Sequence, residues 1–319
     1  MTYLKYKNGD TMPMIGLGTW KSKPNQVYQA VKEAIKIGYR HIDCAAVYGN
    51  EKEVGNALRY SIDKGIVSRE DIWITSKLWN NAHKKEHVAV SLQKTLTALQ
   101  LGYLDLYLIH WPVVLKPDVV YPENVNDFLS LDDVPIFETW KGMISCKKMG
   151  QTRHIGVSNF SIKKLTALAA ESDVAPELNQ IELHPFLQQK KMLEYGKFND
   201  VLLTAYAPLG SGDRPPGLKS ADEPSLLQNP IVIETANKNH CTPAQVLIRW
   251  AMERGTSVIP KTVNPDRLAE NLNALDISLS TEDMQKLASL DQHRRYIRGN
   301  FWTVPGSPYT YENLWDEMI

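Results

Sequence analysis

The stretch VAVSLQKTLTALQLGYLDLYLIH, residues 88–110, contains a helix pattern followed by a strand pattern. Val88, Leu92, Leu96 and Leu99 recur at the spacing of one helix face, and Gly102 is a residue type that can end a helix in the left-handed conformation. The apolar run LDLYLIH that follows is typical of a strand covered on both faces. The stretch therefore predicts an amphipathic helix, a turn and a buried strand.

The same unit of helix, glycine and strand recurs along the chain. Helix spacing over residues 27–35 precedes Gly38 and the strand RHID, and the same spacing over residues 54–62 precedes Gly65 and the strand IWITSK. MIGLGTW, RHIGVSN, LNQIELH, VLLTAYAP and SVIP bring the predicted strands to eight. Strands that alternate with helices pair in parallel, because each crossover is long. Eight such units predict an α/β fold of the closed (β/α)8 type, a TIM barrel.

An open doubly wound sheet with a dinucleotide fingerprint is the alternative fold. GLGTW supplies Gly16 and Gly18, but Lys21 stands where the third glycine belongs and no helix follows at once. The barrel is therefore preferred. KNGDTMP predicts an N-terminal β-hairpin over the barrel floor, and residues 112–135 and 292–319 predict long loops, the second at the C-terminus. No linker composition divides the chain, so residues 1–319 are interpreted as a single domain.

The composition argues against several classes of partner. Apolar residues make up 43% of the chain, and 36 basic side chains balance 36 acidic ones, which disfavours nucleic acid and anionic membrane surfaces. No apolar stretch reaches the roughly 18 residues of a membrane span. Cys44, Cys146 and Cys241 are widely spaced, which disfavours a disulfide framework and predicts a cytoplasmic protein. His83 and His87 have a helical metal-ligand spacing but no third ligand, so they predict a solvated helix face and no metal site.

Ionisable side chains stand at the carboxyl ends of three neighbouring predicted strands. Asp43 ends the second strand, with Tyr48 just beyond it. Lys77 ends the third strand and His110 ends the fourth. In a barrel of this type these ends meet at one mouth, where active sites are built. A tyrosine, with a pKa of about 10, is a poor acid at neutral pH unless a cation stabilises its phenolate, and a carboxylate would hold that cation in place. The set predicts delivery of a proton to a carbonyl oxygen.

Seven segments between residues 16 and 271 form a long ordered pattern. They are GLGTW, HIDCAAVYGNEKEVG, ITSKLWN, LDLYLIHWP, IGVSNF, NQIELHP and IPKTVNPDRLAEN. Together they resemble the motifs of the aldo-keto reductase family, most closely its aldose and aldehyde reductase branch. The resemblance implies NADPH-dependent reduction of an aldehyde or ketone, with aldoses and sugar derivatives among the candidates, to an alcohol by hydride transfer. It implies that Tyr48 is the general acid, that Lys77 and Asp43 are its charge partners, and that His110 orients the substrate carbonyl.

The resemblance also implies a cofactor site that extends across the barrel mouth without a Rossmann fold. An aromatic ring would stack on the nicotinamide, and two cations with a hydroxyl would surround a ribose 2′-phosphate. The implied residues are Thr19, Trp20 and the stacking Tyr206, the carboxamide partners Ser158, Asn159 and Gln180, the pyrophosphate residues Ser211 and Asp213, the phosphate partners Lys261, Thr262 and Arg267, and the adenine partners Glu270 and Asn271. The branch more often has serine at position 262, but Thr262 keeps the hydroxyl, so NADPH is expected to be preferred, with some use of NADH.

Aromatic residues near the strand ends and in the tail are the implied walls of the substrate pocket. They are Trp20, Trp79, Trp111, Phe301 and Trp302. The tail residues Arg294, Arg295 and Arg298 leave two interpretations open: a solvated basic patch, which is preferred, or recognition of an anionic substrate such as a uronate or sugar phosphate.

The sequence is also compatible with two other functions. One is a structural or regulatory subunit of the same fold that binds cofactor with little turnover, and the other is a lyase that forms a Schiff base on Lys77. The intact set at the strand ends favours the reductase. The expected partner is a small carbonyl substrate, and the expected state is a monomer, with a dimer left open.

Overall fold

Eight parallel strands form the central sheet of the protein. In this computed structural model, which describes residues 2–220 and 223–317, they are β3 (Leu17–Gly18), β4 (His41–Asp43), β5 (Trp73–Leu78), β6 (Leu104–Ile109), β9 (Thr152–Ser158), β10 (Leu178–Glu182), β11 (Leu202–Tyr206) and β12 (Ser257–Val258). Two antiparallel pairs lie outside this sheet: β1 (Tyr3–Lys5) with β2 (Thr11–Pro13), and β7 (Val114–Leu115) with β8 (Phe128–Leu129). All eight predicted barrel strands are present.

The central sheet closes on itself. Its strands pair in chain order from β3 to β12, and the first and last are joined through the backbone on either side of Ile15. The Gly16 amide donates to the Val258 carbonyl (2.9 Å), and the Val258 amide donates to the Met14 carbonyl (2.7 Å). β5 and β6 are buried along their whole length, as expected for strands covered on both sides. The predicted TIM-barrel fold is confirmed.

Helices follow the barrel strands. Those in the described residues are α1 (Gln26–Ile37), α2 (Glu51–Asp63), α3 (Lys85–Leu99), α4 (Ile136–Lys148), α5 (Ile162–Glu171), α6 (Lys190–Asn199), α7 (Pro230–Lys238), α8 (Pro243–Glu253), α9 (Pro265–Leu272), α10 (Thr281–Ala288) and α11 (Tyr311–Trp315). Sequence signals set several of their starts: Thr242 caps α8 with Pro243 in its first turn, and Asn264 caps α9. Within the described residues, none of these helices combines the length and the apolar character that a membrane crossing requires.

Two of the three predicted glycine helix ends are correct. Gly38 and Gly65 have positive φ angles of 113° and 65° after α1 and α2. The prediction for Gly102 is wrong, because α3 ends at Gln100, which has a φ of 57°. The amide of Leu101 returns to the carbonyl of Leu96 (3.0 Å), so the chain reverses before Gly102 is reached.

The N-terminal hairpin covers the floor of the barrel, as predicted. Its Tyr6 ring stacks on Trp73 at the start of β5 (5.4 Å between ring centroids) and lies 3.9 Å from the His154 ring of β9. Asp10, which follows the hairpin turn, accepts a hydrogen bond from Nε2 of His154 (2.9 Å). The hairpin is therefore joined to the strand ends opposite the predicted mouth.

At the mouth, the two long loops pack together. A cluster of buried aromatic residues links the loop that contains β7 and β8 with the C-terminal tail; its rings include Trp79, Trp111, Phe128, Trp302 and Tyr309. His83, which follows the 3₁₀ helix Asn80–Ala82, is buried, with 1% of its surface exposed. The prediction of a solvated face at His83 is therefore wrong, because this residue precedes α3 and packs against α4, where the Thr139 hydroxyl donates to its carbonyl (2.7 Å).

Candidate active site

A cavity of about 760 Å³ opens at the carboxyl ends of the barrel strands. Its lining includes Asp43, Tyr48 and His110, and also Lys261 and Arg267 from the segment after β12. The size is in the range of small-molecule and cofactor sites.

The four side chains predicted at the strand ends lie together. Nζ of Lys77 is 2.5 Å from Oδ1 of Asp43 and donates to the Cys44 carbonyl (2.8 Å) and to the Tyr48 hydroxyl (3.5 Å). The ring centroids of His110 and Tyr48 are 5.8 Å apart. Lys77 has no exposed surface and is absent from the cavity lining, so it meets the cavity only through its partners.

Local structure explains how these side chains converge. Asp43 is the last residue of β4, and the 3₁₀ helix Ala46–Tyr48 brings Tyr48 back over the strand end. Gly49, with a φ of 68°, ends that turn in a conformation that side-chain-bearing residues rarely adopt. The amide of His110 donates to the carbonyl of Leu78 (3.1 Å), which fixes His110 beside the end of β5.

Burial and charge set the protonation of the group. Burial raises the pKa of Tyr48 to about 12, and the adjacent Lys77 ammonium opposes that rise. Burial alone would lower the pKa of Lys77, but the Asp43 carboxylate outweighs it, so the Lys77 pKa is raised. Burial and the Lys77 charge lower the pKa of His110 well below its ordinary value. At neutral pH the arrangement is therefore a protonated phenol, a charged lysine and a neutral imidazole.

The residues predicted to bind the nicotinamide carboxamide contact Asp43 and His110. Nδ2 of Asn159 donates to the His110 carbonyl (2.9 Å), and the Tyr206 hydroxyl donates to Oδ1 of Asn159 (2.6 Å). Nε2 of Gln180 donates to Asp43 (2.8 Å), and the Ser158 hydroxyl donates to the Gln180 carbonyl (2.8 Å). Asn159 has a φ of 65°, an unfavourable backbone conformation of the kind that concentrates at functional sites.

A glycine-rich segment, residues 208–218, crosses one rim of the cavity and is called the strap below. Lys21 reaches it from the end of β3: Nζ of Lys21 donates to the Ser211 hydroxyl (2.9 Å) and forms an ion pair with Asp213. Lys261 lies 3.5 Å from the same carboxylate. The sequence pattern marks Lys21 only as the residue that replaces the third glycine of a dinucleotide fingerprint. Its position directly after a strand-end tryptophan was the signal that could have identified it.

The remaining predicted cofactor residues divide into two groups. Thr19, Trp20, Thr262 and Arg267 lie in the cavity lining, and the Thr19 hydroxyl donates to the Asp43 carbonyl (2.8 Å). Glu270 and Asn271 lie outside the lining. The carboxylate of Glu270 accepts a hydrogen bond from the Thr242 hydroxyl (2.7 Å), and Asn271 is buried. Their contact with adenine stays a prediction.

All five aromatic residues predicted for the substrate pocket lie in the cavity lining: Trp20, Trp79, Trp111, Phe301 and Trp302. The lining also contains apolar residues that no sequence pattern identified, among them Val47, Tyr121, Leu227 and Ile297, and Leu218 at the end of the strap. They come from separate loops, and no local pattern distinguishes them from ordinary loop residues.

The tail arginines do not enter the cavity lining. Arg295 is buried, with Nη2 2.6 Å from Glu317 and its guanidinium 3.8 Å from the centre of the Trp315 ring. Nε of Arg294 donates to Gln292 (3.1 Å), and Arg298 is exposed outside the cavity. For Arg295 the preferred interpretation of a solvated patch is wrong, because the tail folds back and pairs it internally.

The donors around the cavity fit a phosphorylated dinucleotide. Lys21, Lys261 and Arg267 provide cations in the lining, and Thr262 follows Lys261 directly. Amide groups of Gln180 and Asn159 contact Asp43 and the His110 carbonyl. Among residues 2–220 and 223–317, no three His, Cys, Asp or Glu side chains are grouped to hold a metal ion.

Comparison with known proteins gives matches along almost the whole chain. A profile described as the Aldo/keto reductase family matches residues 14–292. An aldo/keto reductase of Synechocystis sp. is 52% identical over 318 residues, which cover 100% of this chain and 97% of the relative. Aldo-keto reductase family 1 member A1 of Xenopus tropicalis is 45% identical over 292 residues, 91% of this chain and 88% of the relative. The human protein of the same name is 43% identical over 291 residues, 91% of this chain and 89% of the relative.

Proposed function

We propose that this protein reduces neutral aldehydes and ketones to alcohols with NADPH. The chain belongs to the aldo/keto reductase family of NADP-dependent oxidoreductases, and the proposal starts from that membership. One observation carries the proposal. The Tyr48 hydroxyl stands in a cavity beside a neutral His110 and within 3.5 Å of the ammonium of a buried lysine that pairs with Asp43. This arrangement suits proton donation to a carbonyl oxygen.

The residues of the chain perform the proton chemistry. When bound, NADPH supplies the hydride. His110 orients the carbonyl by donating a hydrogen bond from its neutral ring, and Tyr48 donates its proton as negative charge develops on the carbonyl oxygen. Lys77 stabilises the phenolate that remains, and Asp43 keeps the lysine charged and in position. The aromatic walls exclude water, which strengthens each of these interactions.

NADPH is proposed as the cofactor because two cations and a hydroxyl line the cavity from one short segment after β12. Lys261 and Arg267 would flank a ribose 2′-phosphate, and Thr262 would donate to it. Elsewhere in the lining, Ser158, Asn159 and Gln180 would bond the carboxamide, with the ring of Tyr206 stacked on the nicotinamide. Ser211 and Asp213 in the strap would cover the pyrophosphate.

A neutral, largely apolar substrate is proposed because the part of the cavity beyond His110 is lined by aromatic and aliphatic side chains. Anionic sugars are disfavoured, since none of Arg294, Arg295 and Arg298 lies in the lining. An anion in this part of the cavity would lose its hydration without gaining a cation partner.

The lyase alternative is weakened by the burial of Lys77. Its ammonium has no exposed surface and is held by Asp43, the Cys44 carbonyl and Tyr48, so a substrate carbonyl cannot reach it in this arrangement. A binding subunit with little turnover stays the second candidate, and turnover itself separates it from the reductase.

The decisive experiment is Tyr48→Phe, assayed with p-nitrobenzaldehyde and NADPH. We expect kcat to fall by at least about 100-fold, because a general acid contributes about 10²- to 10⁴-fold. The Kd for NADPH, measured by quenching of tryptophan fluorescence, should stay within about twofold, because the phenol makes no proposed contact to the phosphates. Full activity in the variant would overturn the assignment of Tyr48.

The wild-type protein in the same assays tests cofactor and substrate. Tighter binding of NADH than of NADPH would contradict the proposed role of Lys261, Thr262 and Arg267. A kcat/KM for glucuronate equal to that for p-nitrobenzaldehyde would contradict the proposed neutral substrate. Cofactor binding without any turnover would favour the binding subunit.

A further inference from the structure

Tyr296 lies where barrel, strap and C-terminal tail meet. It has 4% of its surface exposed, and it is followed directly by Ile297, which lines the substrate part of the cavity. Its ring is 4.8 Å, between centroids, from the ring of His184, which follows β10. The proposed tyrosine chemistry uses none of these contacts.

On one side, Tyr296 holds the strap. Its ring centre lies 5.0 Å from the guanidinium of Arg214 in the strap. Its hydroxyl donates to the carbonyl of Pro224 (2.7 Å), which lies six residues beyond the strap and directly after Glu223, the ion-pair partner of Arg214. Gly210 packs so closely that a Cβ placed there would lie 3.2 Å from the Tyr296 ring. Arg214 is buried and donates to the carbonyls of Gly210 (2.8 Å) and Ser211 (3.0 Å). Tyr296 therefore packs on Arg214, whose hydrogen bonds to strap carbonyls fix the backbone of the strap.

On the other side, Tyr296 fixes the wall of the substrate pocket. The carboxylate of Glu182, the last residue of β10, accepts from the Tyr296 amide (2.6 Å) and from the Ile297 amide (2.9 Å). Nε2 of His184 lies 2.8 Å from the same buried carboxylate. Ile297 and, four residues later, Phe301 are then part of the cavity lining. A shift of Tyr296 would therefore move the pocket wall with it.

We propose that Tyr296 is a positioning residue that couples the strap over the cofactor to the wall of the substrate pocket. The proposal rests on the proposed function of the cavity. The ion pair of Lys21 with Asp213 and the hydrogen bond of Lys21 to Ser211 hold the strap against the loop after β3, so a dinucleotide beneath them leaves when these contacts part. Arg214 then moves with the strap and draws its ion-pair partner Glu223 and the adjacent Pro224 away from the Tyr296 hydroxyl, and the wall that begins at Ile297 loses one of its anchors.

The test compares Tyr296→Phe with the matched control Tyr309→Phe. Each change removes one buried hydroxyl from a tail tyrosine and keeps its ring. The Tyr309 hydroxyl contacts the loop after β6, where it donates to the Leu129 carbonyl (2.8 Å) and accepts from the Val114 amide (2.8 Å). The control therefore loosens the tail without touching the strap. Thermal unfolding of both variants verifies that they fold.

Two readouts that do not require turnover follow the coupling. The first is the rate of NADPH dissociation in stopped flow, seen by energy transfer from tryptophan. The second is the Kd of p-nitrobenzyl alcohol without NADPH divided by its Kd with NADPH, because an alcohol and the reduced cofactor cannot react with each other. We expect Tyr296→Phe to speed NADPH dissociation and to reduce this ratio, each by about three- to tenfold, because one hydrogen bond contributes about 0.5–1.5 kcal/mol. Tyr309→Phe should leave both within about twofold.

The outcomes separate the two proposals. Unchanged NADPH dissociation in Tyr296→Phe, or an equal effect in Tyr309→Phe, overturns the coupling even if the wild type reduces aldehydes. If the wild type binds NADPH but shows no turnover, the proposed reductase activity is overturned, and the two readouts still test the coupling by Tyr296. A wild type that binds no NADPH overturns both.

Discussion

The environment of single side chains decides what the tyrosine can do. Tyr48 at the cavity and Lys77 behind it form a pair in which only the phenol can reach a substrate. The lysine is fully buried, yet it keeps its proton because Asp43 offsets the cost of burial. A buried ammonium paired in this way stabilises a phenolate without competing for the substrate.

These protonation states predict a flat pH profile for reduction. The pKa of Tyr48 is raised to about 12, so the phenol keeps its proton across the range from about pH 6 to 9. The pKa of His110 is lowered well below its ordinary value, so its ring stays neutral over the same range. We expect kcat for p-nitrobenzaldehyde reduction to change by less than about twofold from about pH 6 to 9. A pH midpoint of kcat inside this range would show that Tyr48 or His110 titrates there.

Oxidation of the alcohol, which needs the phenolate form of Tyr48, should instead accelerate as pH rises.

At the scale of elements, the helix ends set where each strand begins. α1 and α2 end in glycines with positive φ, whereas α3 reverses at Gln100. The reversal is fixed by Leu99, which is fully buried, and by the return of the Leu101 amide to α3. Gly102 therefore has an ordinary backbone conformation and open space around it.

Alanine substitutions distinguish the two glycines. Gly65→Ala should lower the free energy of unfolding by about 1–2 kcal/mol, since a residue with a Cβ is strained at a φ of 65°. Gly102→Ala should leave it unchanged or raise it by up to about 1 kcal/mol, because Ala restricts the unfolded chain. Urea unfolding of both variants measures the difference. Equal destabilisation would mean that Gly102 does end the helix region.

At the scale of the whole molecule, the two ends of the barrel have different roles. The mouth carries the cavity, and the floor is closed by the N-terminal hairpin through Asp10. That carboxylate contacts His154 (2.9 Å) and Arg153 (2.8 Å) and is 27% exposed. Changes at the floor should therefore affect stability and leave the chemistry intact.

Asp10→Asn tests this division. We expect the variant to lose about 1–2 kcal/mol of unfolding free energy at pH 7, with kcat within about twofold of the wild type. Burial would raise the pKa of Asp10, but hydrogen bonds from His154 and Asn8 and the charge of Arg153 outweigh it and lower the pKa. The stabilisation is therefore present above the unfolded-state pKa of about 3.9 and is lost as pH falls through the folded-state value.

Asp200→Asn is the matched control for the floor. Asp200 pairs with Lys7 of the same hairpin, but both side chains are exposed, and such pairs contribute about 0–1 kcal/mol. A loss of unfolding free energy equal to that of Asp10→Asn would mean that the contact of Asp10 with the buried His154 contributes no more to stability than an exposed ion pair. A fall in kcat in Asp10→Asn would contradict the separation of floor and mouth.

The sequence by itself determined the barrel and the convergence of Asp43, Tyr48, Lys77 and His110. Helix and strand periodicity are local, and a closed parallel barrel brings all strand ends to one mouth, so the position of a residue at a strand end predicts its neighbours. The roles of these residues and the single-domain interpretation stay predictions.

Only the tertiary structure decided what the loops and tail do. No sequence pattern predicts a role for Lys21, Tyr296 or Ile297, and the patterns at Arg295 and His83 predict exposure to solvent. Their environments depend on tertiary contacts, such as that of Lys21 with the distant Asp213, or on the folding of the tail back on itself, which pairs Arg295 with Glu317. Irregular segments lack a periodic pattern, so only the completed packing determines which of their side chains enter the cavity and which are paired away from it.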